Sequence, residues 1–414
     1  MSYIDLLRRY PDFRKLFVAA LVSFAGDWFL TVALLDQVLD LTGSATLVSL
    51  MIVAQSLPII LTMPIAGHLV DTLNRRRLMI LMNLGAMGAA LLPILATTPA
   101  LLVFGYLGMV LISVCAGILQ PAASAAVPNL VEPEDLAKAS VLFGTAWGSM
   151  LVIGAAIGGF VTATFGRNAS FVIDSATFLL SAAILLAIHR PLQEEREASH
   201  AKPGMIESFA EVFHYARAHP RAAALVTAKG GYGFGAGVVA MLSVFGKEVF
   251  HAGANGIGLL FAGRGLGALV GPFIVRAMSR TADAQYRTIP PSALVFGLGY
   301  AGLALSPNLT VGVAAVTIAH VGGGALWVTS TYGIQNEVPD FIRGRFFAVD
   351  FGFVTLAIAI SSMITGVLAD WLSASWATLV IATLCVAFAV VWGGVTRRLW
   401  SHGAHDASPD HSRS

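Results

Sequence analysis

Of 414 residues, 57% are hydrophobic and only 12% are charged, a balance outside the range of water-soluble domains, so the chain reads as an integral membrane protein. A net charge of +2, carried on short segments between apolar runs, offers no basic patch for nucleic acid. Cys115 and Cys385 fall inside apolar runs, which speaks against a structural disulfide, and the scattered histidines form no ligand cluster, so neither a metal nor another cofactor is expected.

Stretches of about 18–26 apolar residues are long enough to span a bilayer as helices. Twelve are predicted, at 16–39, 45–70, 78–96, 100–119, 140–165, 169–188, 222–245, 256–275, 289–306, 309–334, 346–369 and 374–395. Residues 1–15 are polar and the run after them is too long for a cleaved signal, so the first span is expected to serve as its own insertion signal. Basic residues recur on alternate connections: Arg8, Arg9, Arg14 and Lys15 before the first span, Arg75, Arg76 and Arg77 after the second, Lys138, Arg190, Arg276, Arg343, Arg345, Arg397 and Arg398 later. The opposite connections carry only Arg167 and Lys247, so both termini are expected in the cytoplasm of a plasma (bacterial inner) membrane protein.

The expected fold is an all-α membrane protein with twelve transmembrane helices in two six-helix pseudo-repeats around a central cavity. The first bundle is assigned to residues 1–189 and the second to 221–398. Between them, 190–220 reads as a cytoplasmic linker, charged around Glu194 to Glu197, with a surface helix at 207–217; residues 399–414 read as a disordered tail. A weak repeat supports two halves: Gln120-Pro121 with Val127-Pro128-Asn129 returns as Gln335 with Val338-Pro339-Asp340, and Gly158-Gly159 has a counterpart in Gly366. Repeats of this kind place a substrate site at their interface near the bilayer midplane.

A charged side chain near the bilayer centre costs roughly 2.5–3.5 kcal/mol, so each one needs a reason. Asp27, eleven residues into the first predicted span, forms a polar stripe with Ser23 and Thr31. A carboxyl group withdrawn from water holds its proton more readily, which suits proton coupling; a structural hydrogen bond or ion pair is the other reading. Lys229, Arg264 and Asp174 are candidate interior charge partners, and Lys229 or Arg264 is expected to neutralise Asp27 in one conformation. Asp350, with Arg343 and Arg345 nearby, is assigned to a charge cluster at the inner face. Gln55, Gln120, His320 and Trp327 are further cavity candidates. Gly154, Gly158 and Gly159 provide small residues for close helix packing.

The connection at 67–77, Gly-His-Leu-Val-Asp-Thr-Leu-Asn-Arg-Arg-Arg, reads as a charged hinge. Gly67 permits close backbone approach, Asp71 lies at a helix end, and Arg75, Arg76 and Arg77 mark the inner face. It resembles the signature loop between the second and third helices of major facilitator superfamily transporters. Thr72 stands where that loop has a base, and Asn74 where it has a second glycine, a position at which asparagine tolerates left-handed backbone. The segment 154–159 resembles the end of the superfamily's antiporter motif, with Ala155 in place of proline. Gly26-Asp27-Trp28, Leu41-Thr42-Gly43-Ser44, Gln120-Pro121-Ala122, Phe171 with Asp174 and Phe178, and Arg343-Gly344-Arg345 resemble the enterobactin-exporter and macrolide-efflux-like branch of drug:proton antiporters.

The resemblance implies a secondary transporter that exports an amphipathic small molecule, such as a drug or siderophore, against protons. Residues 67–77 with Asp350, Arg343 and Arg345 would form its cytoplasmic latch. The expected partners are that substrate, protons and membrane lipids, with the chain acting as a monomer. No Gly-x-x-x-x-Gly-Lys-Ser/Thr loop appears, so nucleotide drive is not supported, and no clustered ionisable residues suggest an enzyme. The alternatives are an uncoupled facilitator of lipids or lysophospholipids, and a non-transporting membrane receptor.

Overall fold

The computed structural model describes residues 2–193, 205–279 and 281–400, excepting the side chains at 64, 205–210, 340 and 341. The charged centre of the predicted linker, Glu194 to Glu197, and the predicted tail beyond residue 400 lie outside the described residues. Every regular element among the described residues is helical. In chain order these are α1 (Tyr3–Arg9), α2 (Pro11–Thr42), α3 (Ala45–Thr72), α4 (Arg75–Ala89), α5 (Leu102–Ala126), α6 (Pro133–Phe165), α7 (Arg167–Leu186) and α8 (Met205–Ala218). There follow α9 (Pro220–Ala236), α10 (Met241–Val244), α11 (Gly253–Met278), α12 (Ala282–Tyr286), α13 (Ile289–Ala304), α14 (Leu309–Glu337), α15 (Asp340–Trp371) and α16 (Ala374–Thr396).

Among the described residues, eleven segments are long and apolar enough to cross a membrane. The twelfth predicted span is α13, whose 16 residues fall just short of that length. Local chemistry fixes the ends. Pro11, Pro133 and Pro220 open their helices in the first turn, where a missing N–H costs nothing, and Gly43 closes α2 with φ 61°. Asn74 takes extended backbone, φ −64° and ψ 112°, and accepts the Arg77 N–H as the N-cap of α4. That corrects the expected left-handed turn: the helix starts at the first arginine, so a cap is what the position needs.

Two spans are not simple helices. Pro93 turns the end of the third into a short 3₁₀ segment, Leu92–Leu95, and the Gln37 amide donates to the carbonyls freed there, at 3.2 Å to Pro93 and 2.8 Å to Ala96. The seventh, read from the sequence as one helix, changes pitch repeatedly: α9, a 3₁₀ turn Gly237–Ala240, α10, then a wide π turn Phe245–Val249. Such irregular backbone is tolerated at membrane depth only inside protein, and residues 236–246 are buried throughout.

Spans α2 to α7 pack on one another, as do α9 to α16, and one buried cluster runs through both sets. The halves meet chiefly through α6 against α11 and α3 against α15. That contact is lopsided. Toward the end remote from the termini, Gly159 lies against Ala254 and Gly258, and Gly366 against Ala45 and Ser49, so closely that a Cβ would collide. On the same helices near the terminus end, Gly67, Gly144, Gly148, Gly344 and Gly352 have nothing within 4 Å of a Cβ. The halves are therefore closed at the remote end and spread apart at the terminus end.

Candidate functional site

Asp27 lies at the midpoint of α2, half-buried. Its carbonyl accepts the Thr31 hydroxyl at 2.7 Å, and that oxygen accepts the Gln55 amide at 3.2 Å, so the structure brings these three predicted residues together. No hydrogen bond or ion pair reaches the Asp27 carboxylate among the described residues. Behind it Asp174 of α7 is fully buried. A Cβ on Gly26 would strike the Asp174 carboxyl and the Thr177 hydroxyl, so α2 and α7 touch at this level because residue 26 is glycine.

Around this point the seam between the halves is aromatic. Trp28 meets Trp147 of α6 at 6.2 Å and Phe261 of α11 at 5.6 Å between ring centroids. Arg264 lies over the Phe261 ring at 5.9 Å. Sequence reasoning passed over these rings, since an aromatic in a span is more often core; the Gly-Asp-Trp triplet was the available signal.

In the second half, Lys229 is buried and forms an ion pair with Asp350, donates to the Thr331 hydroxyl at 3.1 Å, and lies over the Trp327 ring at 4.8 Å. Two expectations change. In this conformation Lys229 pairs with Asp350 rather than with Asp27, and Asp350 serves Lys229 rather than an inner-face cluster, because α9 and α15 pack together and bury both groups. His320 is likewise not a cavity residue. It is fully buried inside the half, bonded to the Tyr300 hydroxyl at 2.8 Å and edge-on to Phe296.

Gly67 faces open space, so its expected close contact is absent. The Arg75 guanidinium is buried and donates to the carbonyls of Val70, Ala125 and Leu192, while Arg76 donates to the Arg190 carbonyl at 3.0 Å; these bonds tie the first half to the start of the linker. Asp71 is exposed, Arg343 donates to the Val338 carbonyl at 3.0 Å, and Arg345 pairs with Glu211 of α8. Each half also has its own cluster at this end. Tyr10 donates to Asp135 and Glu132 beside Arg9, and burial together with those bonds pushes its hydroxyl up. Arg221 binds Asp283 and Glu337 over Tyr286, whose hydroxyl burial pushes up to about 12.

A charge network closes the remote end, and sequence reasoning missed it. Lys247, on the π turn, donates to Asp36 at 2.7 Å and Asp40 at 3.0 Å across the seam, while Arg167 holds the same two carboxylates at 2.6 and 3.0 Å from within the first half. Asp370 of α15 accepts the backbone N–H groups of Ala45 and Thr46 at 2.7 and 3.1 Å and the Ser44 hydroxyl at 2.9 Å, bridging to the start of α3. Acids one helical turn apart facing the sole two bases of that surface were the available signal.

A cavity of about 190 Å³ opens inside the first half. Ser23, Asn83 and Ser181 form its buried wall, while Gln120 and Trp147 are exposed at its margin. Gln120 and Ser23 are thus placed on one cavity, away from Trp327 and Gln55. Gly154 and Gly158 pack against Ala25, Trp28 and Phe29 of α2, and Gly159 against α11, so the glycine segment joins the acid-bearing helix to the seam.

Comparison with known proteins identifies this architecture. The family model for transmembrane secretion effectors of the major facilitator class matches residues 7–412. An uncharacterised MFS-type transporter, YfiS of Bacillus subtilis, is 24% identical over 402 residues, covering 93% of each chain. The multidrug efflux pump Tap of Mycolicibacterium fortuitum is 25% identical over 371 residues, covering 85% of this chain and 88% of that one. Among solved structures, a POT family transporter in complex with 5-aminolevulinic acid superposes with a TM-score of 0.76 at 13% identity, covering 94% of this chain and 96% of the other. An inward-facing, occupied bacterial homologue of the human lysosomal transporter Spinster gives 0.75 at 16% identity, covering 95% and 97%. The chain belongs to the transmembrane secretion effector family of major facilitator transporters and is a multi-pass membrane transporter rather than an enzyme.

Proposed function

We propose that the protein exports amphipathic, partly aromatic small molecules in exchange for protons, by alternating access between its two six-helix halves. The observation that carries this is the Asp27 carboxyl group. It stands at mid-span beside an aromatic seam, with no cation bound to it, whereas Asp350 and Asp36 are each held by a base. A group in that position can gain and lose a proton as the halves rock, so that protonation and cargo weigh the two conformations differently. Trp147, exposed on the seam with Trp28 and Phe261 buried behind it, offers a flat apolar face to a cargo, and relatives named as multidrug efflux pumps favour the outward direction. With the basic terminus end in the cytoplasm of a bacterial inner membrane, the open side described above is the loading side.

The test is proton flux in liposomes holding the purified chain under a pH gradient, wild type beside Asp27→Asn, as ethidium, a macrolide and a siderophore are added in turn. Coupled export predicts cargo-triggered proton movement that the variant abolishes while remaining folded. Equal cargo movement in both chains, with no gradient required, refutes coupling and favours an uncoupled lipid facilitator.

A further inference from the structure

Asp174 is the least explained polar group in the first half. Its side chain is fully buried, its Oδ2 has no hydrogen-bond partner, and its Oδ1 has only a long contact, 3.4 Å, from the Thr177 hydroxyl. Such a carboxyl is retained at a cost unless it does something. It borders α2 at Gly26, the residue preceding Asp27.

The charged groups around the two acids are few. Between its ends, the first half's spans contribute no arginine or lysine, and His68 is exposed at the terminus end of α3. From the second half, Lys229 is occupied by Asp350, and Arg264 on α11 stands over Phe261, whose other neighbour is Trp28. Neither α4 nor α6 brings an ionisable side chain to this level; Asn83 and Trp147 are their polar and aromatic contributions. Two carboxylates on facing helices, with no base held against either among the described residues, repel each other, and a shared proton relieves that repulsion.

A cavity approaches that site to within about one helical turn. Helices α2 and α7 run antiparallel, with Gly26 opposite Asp174 and Thr177. The cavity in the first half is lined by Ser23 and Ser181, one helical turn nearer the terminus end than Gly26 and Thr177, and by Asn83, whose buried Oδ1 has no partner. At about 190 Å³ the cavity is below the roughly 300–1,000 Å³ of a drug-sized site, yet it is large enough for several waters. Its wall is mainly apolar, with Ser23, Ser181 and Asn83 as its buried polar groups, while Trp147 and Gln120 mark the side facing the opened seam.

We infer that Asp174 is the second seat of the carried proton, shared with Asp27, and that protons reach the pair from the cavity inside the first half, whose margin at Trp147 opens on the cargo seam. The inference rests on the proton-coupled reading above. Cargo would bind at the aromatic seam and the proton behind it, separated by α2, so that one helix senses both.

The ratio of protons to ethidium moved is the readout, in liposomes holding the full chain. Asp174→Asn is expected to lower that ratio by about tenfold or more. Ser181→Leu, which fills the cavity wall, is expected to slow proton movement relative to ethidium. A wild-type ratio in Asp174→Asn overturns the shared seat, and one in Ser181→Leu overturns the route. Should Asp174→Asn fail to fold, labelling of the Asp27→Asn chain with dicyclohexylcarbodiimide at neutral pH decides the matter. A protonated, water-accessible Asp174 acquires the adduct, and absence of the adduct overturns the proposal. Loss of coupling in Asp27→Asn with full coupling in Asp174→Asn defeats the pair alone; full coupling in Asp27→Asn defeats the underlying reading as well.

Discussion

Lys247→Met is the most direct way to move the equilibrium between the two ends of the transporter. Lys247 crosses the seam to Asp36, a pair largely shielded from water with side-chain exposures of 20% and 8%, and to Asp40, which is 51% exposed. A charge-assisted bond of the first kind contributes about 1.5–3 kcal/mol, and the exposed second contact under about 1 kcal/mol. Losing both costs the closed remote end about 2–2.8 kcal/mol, or about 30- to 100-fold in the equilibrium constant. A conformer open at that end and populated at about 1% would rise to between about a quarter and a half of the molecules. Spin labels at Phe165 and Leu305, exposed at the remote ends of α6 and α13, report this as a second, longer distance once Cys115 and Cys385 are replaced. Arg167→Met is the control, because Arg167 binds the same acids from within their own half and should leave the distances near those of the parent. An unchanged distribution in Lys247→Met would refute the latch.

Other perturbations test other contacts. Lys229→Met strands the buried Asp350 carboxylate and should lower stability by about 3–5 kcal/mol, seen as a fall in detergent unfolding temperature that Asp350→Asn in the same chain largely reverses. An unaltered midpoint in the single variant contradicts the pairing. Gly258→Val drives a side chain into Ala155 and Gly159 across the seam, so cellular efflux of a lipophilic dye should be lost while expression persists; retained efflux means that the halves need not close there. Asp370→Asn weakens the cap that α15 supplies to α3 and should raise remote-end opening in the direction of Lys247→Met, by a smaller factor, in the same spin-label measurement.

The spans were legible because hydropathy reports the solvent a helix needs, and Asp27 because counting along one helix gives its depth. What depends on which helices become neighbours was not legible in that way. Lys229 and Asp350 are 121 positions apart, and only the packing of α9 on α15 makes them partners. His320 had the same ambiguity until Tyr300 and Phe296 enclosed it. Arg167 and Lys247 were visible as bases on the sparsely charged face, but topology accounted for them, so their meeting with Asp36 and Asp40 went unread. Gly67 misled for another reason. Its motif describes contact between approaching halves, and here the halves are apart at that end. The broken seventh span escaped because hydropathy is indifferent to backbone pitch, although glycines at 230, 231, 233, 235 and 237 were a warning.

The π turn at Phe245–Val249 has a consequence for how this chain can vary. A π turn amounts to one residue inserted into an α-helical ladder, and Lys247 is carried on it. Deleting a single residue there would restore a regular helix and leave the span apolar, yet it would rotate one side of the break against the other by about 100°. The ammonium group would then point away from Asp36, and the remote end would lose its bolt without losing a charge. In this stretch the number of residues is constrained as tightly as their kind, so a one-residue gap at positions 241–249 should be far less tolerated than most substitutions there.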